Sequence, residues 1–259
     1  MTTVQTMLAR ATALVTLGAL ALGIGGCASS ADKLEQPTVL ESPFPGRSEV
    51  LLAVAPPSNE SGVSTVDVLA VGDELVAALS EAHGLSAVPM NRTLAAMAAK
   101  GLTGVRSPVE AKILADALGV DGVVMSSVTA YDPYEPPKIG LALALFMQDA
   151  PAAPTLDPHA LSGAYTDQPA RAKTTFPDRP EATAIEHLDA SNHEVLAALK
   201  EFARGRHDPN SALNWRRYTA SMELYTQFAA YHTVRRLLEN EHSRRGPVAA
   251  APTTGKDTR

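Results

Sequence analysis

The stretch Ile139-Gly140-Leu141-Ala142-Leu143-Ala144-Leu145-Phe146-Met147 contains no polar side chain. Read as a strand, it is apolar on both faces, with Ile139, Leu141, Leu143 and Leu145 on one and Ala142, Ala144 and Phe146 on the other. Such a strand must be covered on both sides or lie in an interface. The chain around it therefore has to supply helices for both faces of a sheet. A second strand precedes it across a proline-rich turn: Gly122 to Tyr131 is rich in valine, and Asp132-Pro133-Tyr134-Glu135-Pro136-Pro137 joins the two as a hairpin.

The segments upstream supply what that hairpin needs. Val50 to Ala55 is a short apolar run ended by Pro56-Pro57, which reads as a buried strand. From Ser64 to His83, Val68, Leu69, Leu75, Val76 and Leu79 recur at helical spacing, with Gly84 as C-cap. Leu85 to Pro89 is a second strand. Asn91 is placed to cap a short helix to Ala99, closed by Gly101. Ser107-Pro108-Val109-Glu110 is a capping box with proline at the first helical position, opening a helix that Gly119 closes. The layout is β-α-β-α-α-β-β, an α/β (α+β) domain over residues 48–150.

Residues 151–183 continue a stretch that holds six prolines from 148 onward and no periodicity, so a mobile loop is expected. Ile185 to Asp189 reads as a short added strand. A C-terminal helical part, 184–245, follows. Ser191-Asn192-His193-Glu194 reads as a second capping box, and helices are expected over Ala212–Ala220 and from Ser221 to about Arg244. Trp215, Leu224, Tyr225, Phe228, Tyr231 and Leu238 form their buried face. Residues 246–259 are small and polar, the composition of a disordered tail.

The N-terminus has a different logic. One cation, Arg10, precedes an apolar run from Ala11 to Ile24, and Gly25-Gly26-Cys27 follows before the chain turns polar. As a helix the run covers roughly 21 Å, short of the ~30 Å hydrocarbon core, so a cleaved signal peptide over 1–26 is a better reading than a permanent span. Ile24-Gly25-Gly26-Cys27 resembles the lipobox of bacterial lipoproteins, in which small side chains let a peptidase cut before a cysteine that carries lipid. Cys27 is the single cysteine of the chain, so no internal disulfide competes for it. An ordinary secreted protein with an incidental cysteine is the alternative. Residue 28 is alanine, which by resemblance to the sorting rule of didermal bacteria implies the outer membrane. Residues 27–47, with Pro37, Pro43 and Pro45, read as a tether of roughly 25 Å average span.

Without Arg10, 21 Lys and Arg face 28 Asp and Glu, a net charge of −7. That disfavours nucleic acid as a partner. Aromatic residues are 5% of the chain, so the core must be built from Ala, Val and Leu. No metalloprotease, nucleophile-elbow or phosphate-loop pattern is present, and no cofactor or metal is expected. His187 and His193 could pair on a metal, and Asp132 with Glu135 could hold calcium, but solvent exposure and turn propensity account for them. His232 near Arg235 or Glu239, and Asp189 with Glu194 beside a helix start, read the same way. The densest aromatic and arginine cluster runs from Trp215 to Arg236. Arg216, Arg217, Arg235 and Arg236 cannot all be buried without carboxylates, so they are the candidate partner-binding residues.

Val50 to Phe146 resembles the α/β domain shared by curli-secretion lipoproteins (CsgG-type) and lipoprotein activators of penicillin-binding proteins (LpoB-type). The resemblance rests on the lipobox and tether before a first strand with its proline-rich loop, on Gly84-Leu85-Ser86-Ala87-Val88-Pro89, and on the Ala115–Val124 helix end that feeds the hairpin. It covers about 100 residues. It implies a non-catalytic envelope lipoprotein that faces the periplasm and binds an envelope protein or cell-wall polymer. A subunit of an oligomeric secretion assembly, and an enzyme or small-ligand binder, stay open as alternatives. Residues 148–183 lack the alternation of a membrane barrel hairpin, and the region after Glu186 has no counterpart in either group, so the resemblance implies no active residue. Cys27→Ala should accumulate as uncleaved precursor and take up no fatty-acid probe; normal labelling of that variant would refute lipid attachment.

Overall fold

A computed structural model describes residues 36–44, 47–148, 177–208 and 211–245. The expected leader, Cys27, most of the 151–183 loop and the 246–259 tail lie outside them. The fold is mixed α/β. Its strands are β1 (Val50–Val54), β2 (Ser58–Asn59), β3 (Leu85–Val88), β4 (Gly122–Asp132), β5 (Lys138–Met147) and β6 (Ala182–Asp189). Its helices are α1 (Val68–Ser80), α2 (Met90–Ala99), α3 (Pro108–Leu118), α4 (His193–Ala203), α5 (Arg217–Ala220) and α6 (Met222–Arg245).

The strand order is β3-β1-β4-β5-β6, with β2 also on β4. β1 runs parallel to β3 and β4, and the β4-β5-β6 half is antiparallel. β1 and β2 lie in succession along β4. Pro56 and Pro57 have no N–H to give a ladder, so pairing stops at Ala55, whose N–H donates to the Val124 carbonyl at 2.9 Å, and resumes at Ser58. The Ser126 hydroxyl donates to the Ala55 carbonyl across the break. Gly122 sits where β1, β4 and β5 crowd together; a β-carbon there would come 2.7 Å from the Phe146 carbonyl oxygen.

The two faces of the sheet are covered unequally. Leu52, Val54, Val124, Val128 and the inward side of β5 (Ile139, Leu141, Leu143, Leu145) meet Leu75 and Leu79 of α1 and Tyr225, Phe228, Val234 and Leu237 of α6. The opposite face has a smaller core in which Ala53, Val88 and Val123 pack on Met97 of α2 and Leu114 of α3. That second core does not reach β5 or β6. The central, doubly apolar strand expected from sequence is present, and the described residues cover one of its faces more fully than the other.

Local signals account for most boundaries. Ser107 accepts the Glu110 N–H at 3.3 Å, the Glu110 carboxylate accepts the Arg106 N–H at 2.7 Å, and Gly119 ends α3 at φ +66. Four expectations need correction. α1 starts at Val68 because Asp67 caps it, accepting the N–H groups of Leu69 and Ala70. α2 starts at Met90 behind Pro89 with no side-chain cap, so Asn91 lies inside it. Asn192, not Ser191, caps α4, because Ser191 is already held by the Asp189 carboxylate. The helix expected over Ala212–Ala220 is a 3-10 turn, Asn214–Arg216, followed by the single turn of α5.

Two larger differences concern domain limits. β6 is a full eight-residue strand in register with β5 from Lys138↔Asp189 to Leu145↔Ala182, so the sheet extends into the part expected to be helical. The 36–44 end of the expected tether is packed onto the fold. Leu40 and Phe44 are buried, and His83 bonds the chain on both sides, accepting from Ser42 N–H at 3.0 Å and donating its own N–H to Leu40 at 2.7 Å. Isolated apolar residues between prolines carry no period, so the sequence does not signal their burial.

The alternation along β5 predicts opposite fates for neighbours. Leu143 is 2% exposed in the main core, whereas Ala142 faces the thinly covered side. Leu143→Ala should cost about 2–5 kcal/mol and Leu143→Asp should abolish folding, while Ala142→Asp should shift the melting temperature by less than about 5 °C. Equal tolerance at both positions in thermal melts would show that the faces are assigned wrongly.

Candidate functional site

The half-face left open by α2 and α3 forms a groove of about 750 Å³. Its floor is made by Ser127 of β4, Ala142 and Ala144 of β5, and Thr183 and Ile185 of β6; Asn59, Glu60 and Arg106 stand at its side. The small side chains on β5 keep the floor low. Ile185 is 76% exposed on it, unusual for an aliphatic residue in mid-strand. Among the described residues no cluster of three or more His, Cys, Asp or Glu could hold a metal ion.

The four candidate arginines separate into two pairs. Arg216 and Arg217 are exposed and form no ion pair among the described residues. Arg216 lies over the Trp215 ring at 5.0 Å and Arg217 over Tyr218 at 5.8 Å. Lys200 of α4, which the sequence reading missed, adds a third cation 4.7 Å from the Trp215 centroid. Trp215 is only half-buried, whereas Tyr218 is buried with its hydroxyl donating to the Arg206 carbonyl at 3.3 Å. The result is a cationic platform with aromatic support. Arg235 and Arg236 differ: Arg235 pairs with Glu239 at 3.5 Å, and Arg236 bridges Glu239 and Glu186 of β6, both at 3.2 Å. Arg236 thereby ties α6 to the sheet, while Arg235 pairs within the helix.

The remaining titratable groups have structural surroundings. His187 and His193 are both exposed. His232 is partly buried, 3.8 Å from Glu186; burial and then Arg235 hold its pKa below the usual value. Asp132 accepts the Tyr134 N–H, an Asx turn. At the end of α6, the fully buried Glu241 takes Arg244 at 2.8 Å and Arg245 at 2.6 Å, and both guanidiniums also reach Glu181 ahead of β6. Burial raises the Glu181 carboxyl, and the nearby Glu241 charge adds to this. Burial opposes ionisation of Glu241 too, but the hydrogen bonds from Arg244 and Arg245 outweigh it and its pKa is lowered. Arg245 also covers the Phe44 ring at 4.6 Å.

No family model and no curated protein matches the chain. Among solved structures, the LpoB C-terminal domain from Salmonella enterica is 18% identical over 39% of this chain and 73% of its own, with a TM-score of 0.33. Lipoprotein GNA1162 from Neisseria meningitidis is 20% identical over 37% of this chain and 68% of its own, TM-score 0.28. Protein XCC0632 from Xanthomonas campestris is 12% identical over 82% of this chain and 99% of its own, TM-score 0.35. Of the two groups the sequence resembles, LpoB is therefore represented. No helix among the described residues is long and apolar enough to cross a membrane.

Asp189 at the β6–α4 turn gives a measurable pH signature. The Ser191 hydroxyl and N–H, followed by Lys138 at 3.0 Å, hold its carboxyl down at about 2. A carboxylate depressed in the folded state contributes stability that is present above its unfolded pKa, near 4, and lost as pH falls toward 2. Asp189→Asn should therefore narrow the stability gap to wild type between pH 4 and pH 2 in denaturant titrations. A gap that stays constant over that interval would remove Asp189 from the acid response.

Proposed function

We propose that the chain is a lipid-anchored envelope module that binds a protein partner, or an anionic cell-wall polymer, on the periplasmic side of the outer membrane. The anchor is Cys27, supported by the Ile24-Gly25-Gly26-Cys27 pattern behind its apolar run. The observation that carries the binding role is the pair Arg216 and Arg217, exposed, with no carboxylate partner among the described residues, on a half-buried tryptophan and a buried tyrosine.

The physical reasoning is one of cost and fit. Arginines in a chain with an excess of carboxylates pair internally when geometry allows, as Arg235 and Arg236 do. Arg216 and Arg217 sit on a 3-10 turn and a four-residue helix, fixed from beneath by Trp215 and Tyr218. Planar guanidiniums held over rings keep their forked donors directed outward, the arrangement that suits carboxylate or phosphate groups of a second molecule. Aromatic and arginine residues together are also the commonest anchors of protein interfaces.

Arg216→Glu with Arg217→Glu in the full chain should weaken retention of the partner, or pelleting with isolated cell wall, at least tenfold, an effect of about 1.4 kcal/mol or more. The melting temperature should be unchanged, because neither side chain is buried. Undiminished binding by a folded double variant would move the partner surface away from this face.

A further inference from the structure

The two edges of the sheet are finished differently. β3 is four residues long, and Glu41 bridges to His83 just ahead of it. β6 is eight residues long, and among the described residues no strand pairs with its outer side. Its register with β5 runs from end to end without a shift. The bond from Ala190 N–H to the Pro137 carbonyl, in the same register, sets the phase. Even-numbered residues bond inward to β5, and Thr183, Ile185 and His187 direct their N–H and C=O groups outward. The Asn240 amide donates to the Thr183 carbonyl at 2.8 Å, which agrees with that phase and leaves the carbonyl a second lone pair.

Edge strands that stay single carry proline, lysine, a bulge or an unpaired charge. β6 has no proline or lysine and no register shift between Ala182 and Asp189, the one irregularity being just ahead of it, where Glu181 N–H also reaches the Leu145 carbonyl; its mid-strand carboxylate, Glu186, is already matched by Arg236. Its exposed centre is Ile185. We propose that β6 pairs antiparallel with β6 of a second copy of this chain, about a two-fold axis at Ile185.

The residues of β6 suit a second copy of the same strand, and charge excludes one neighbouring register. With the axis at Ile185, Ile185 meets Ile185, Thr183 meets His187, Ala184 meets Glu186 and Ala182 meets Leu188, so no like charges oppose between Ala182 and Leu188. An axis one residue on would set Glu186 against Glu186, a destabilising pair. At the strand ends Glu181 of one copy approaches Asp189 of the other, but Arg244 and Arg245 hold the first and Lys138 holds the second. Three outward residues per strand supply up to six main-chain hydrogen bonds. Thr183 and Ile185 also form the margin of the open floor. The pairing joins two half-open sheets into one, with both Ile185 side chains in the middle of a shared floor. A closed two-fold of this kind is the commonest form of self-association.

The test uses the full chain with Cys27→Ser, so that an introduced thiol is the only one. Under mild oxidation Ile185→Cys should form a disulfide-linked dimer. Thr183→Cys and His187→Cys should each stay monomeric alone and link to one another when mixed, because the register opposes 183 to 187. Ile185→Lys should halve the sedimenting mass and keep the wild-type melting transition. Failure of Ile185→Cys to link, equal linking at all three positions, or a wild-type mass already equal to that of Ile185→Lys would each overturn the pairing.

Discussion

The structure depends on how β5 distributes volume between its two sides. Ile139, Leu141, Leu143 and Leu145 all point into one core, and that core draws α1 from before the strand and α6 from long after it. Gly140, Ala142 and Ala144 point the other way, with the larger Phe146 buried only at the strand's end. They offer a helix little to pack against, and α2 and α3 stop over the parallel half of the sheet. The same alternation therefore fixes the dominant core, the position of the longest helix and the location of the open groove.

α6 is held at its far end by charge. Its last turn carries the buried Glu241, two arginines that bind it, and through them Glu181 at the approach to β6. A buried carboxylate is costly unless its oxygens are satisfied, and here two guanidiniums satisfy them while remaining partly in water. The cluster does little for net stability by itself, since exposed arginines lose part of their attraction to solvent. It fixes the register of α6 against the sheet, which aims Arg236 at Glu186 and Asn240 at Thr183.

Much of this was legible in the sequence. The hairpin, the Ser107 capping box, the Gly119 stop and the apolar strands are local signals, and the structure keeps them. What was missed depends on tertiary contacts. Asn91 and Ser191 have the chemistry of caps, but Pro89 already ends β3 and Asp189 already engages Ser191. β6 looked like a short strand because Ala182, Thr183 and Ala184 are small residues behind a proline-rich stretch and carry little strand signal. Leu40 and Phe44 lie in a proline-rich segment and are buried only because α6 and the turn at His83 form a seat for them. At the candidate site, the sequence marked all four arginines alike. It could not show that Glu186, 50 residues from Arg236, would claim one of them, nor that Lys200 would come to share the Trp215 ring.

The clasp around residues 36–44 has a mechanical meaning. Any traction arriving along the chain from its N-terminal side first loads Tyr231, whose hydroxyl holds the Thr38 carbonyl. It next reaches His83, where the bonds to Leu40 and Ser42 flank one residue and share the strain. Behind them Phe44 is pinned under Arg245, which is itself locked to Glu241. Force is thus passed to two places on α6, one mid-helix and one at its end, and from there into the main core. Arg244 and Arg245 also hold Glu181 at the approach to β6, so the load that α6 takes up is shared with the edge of the sheet.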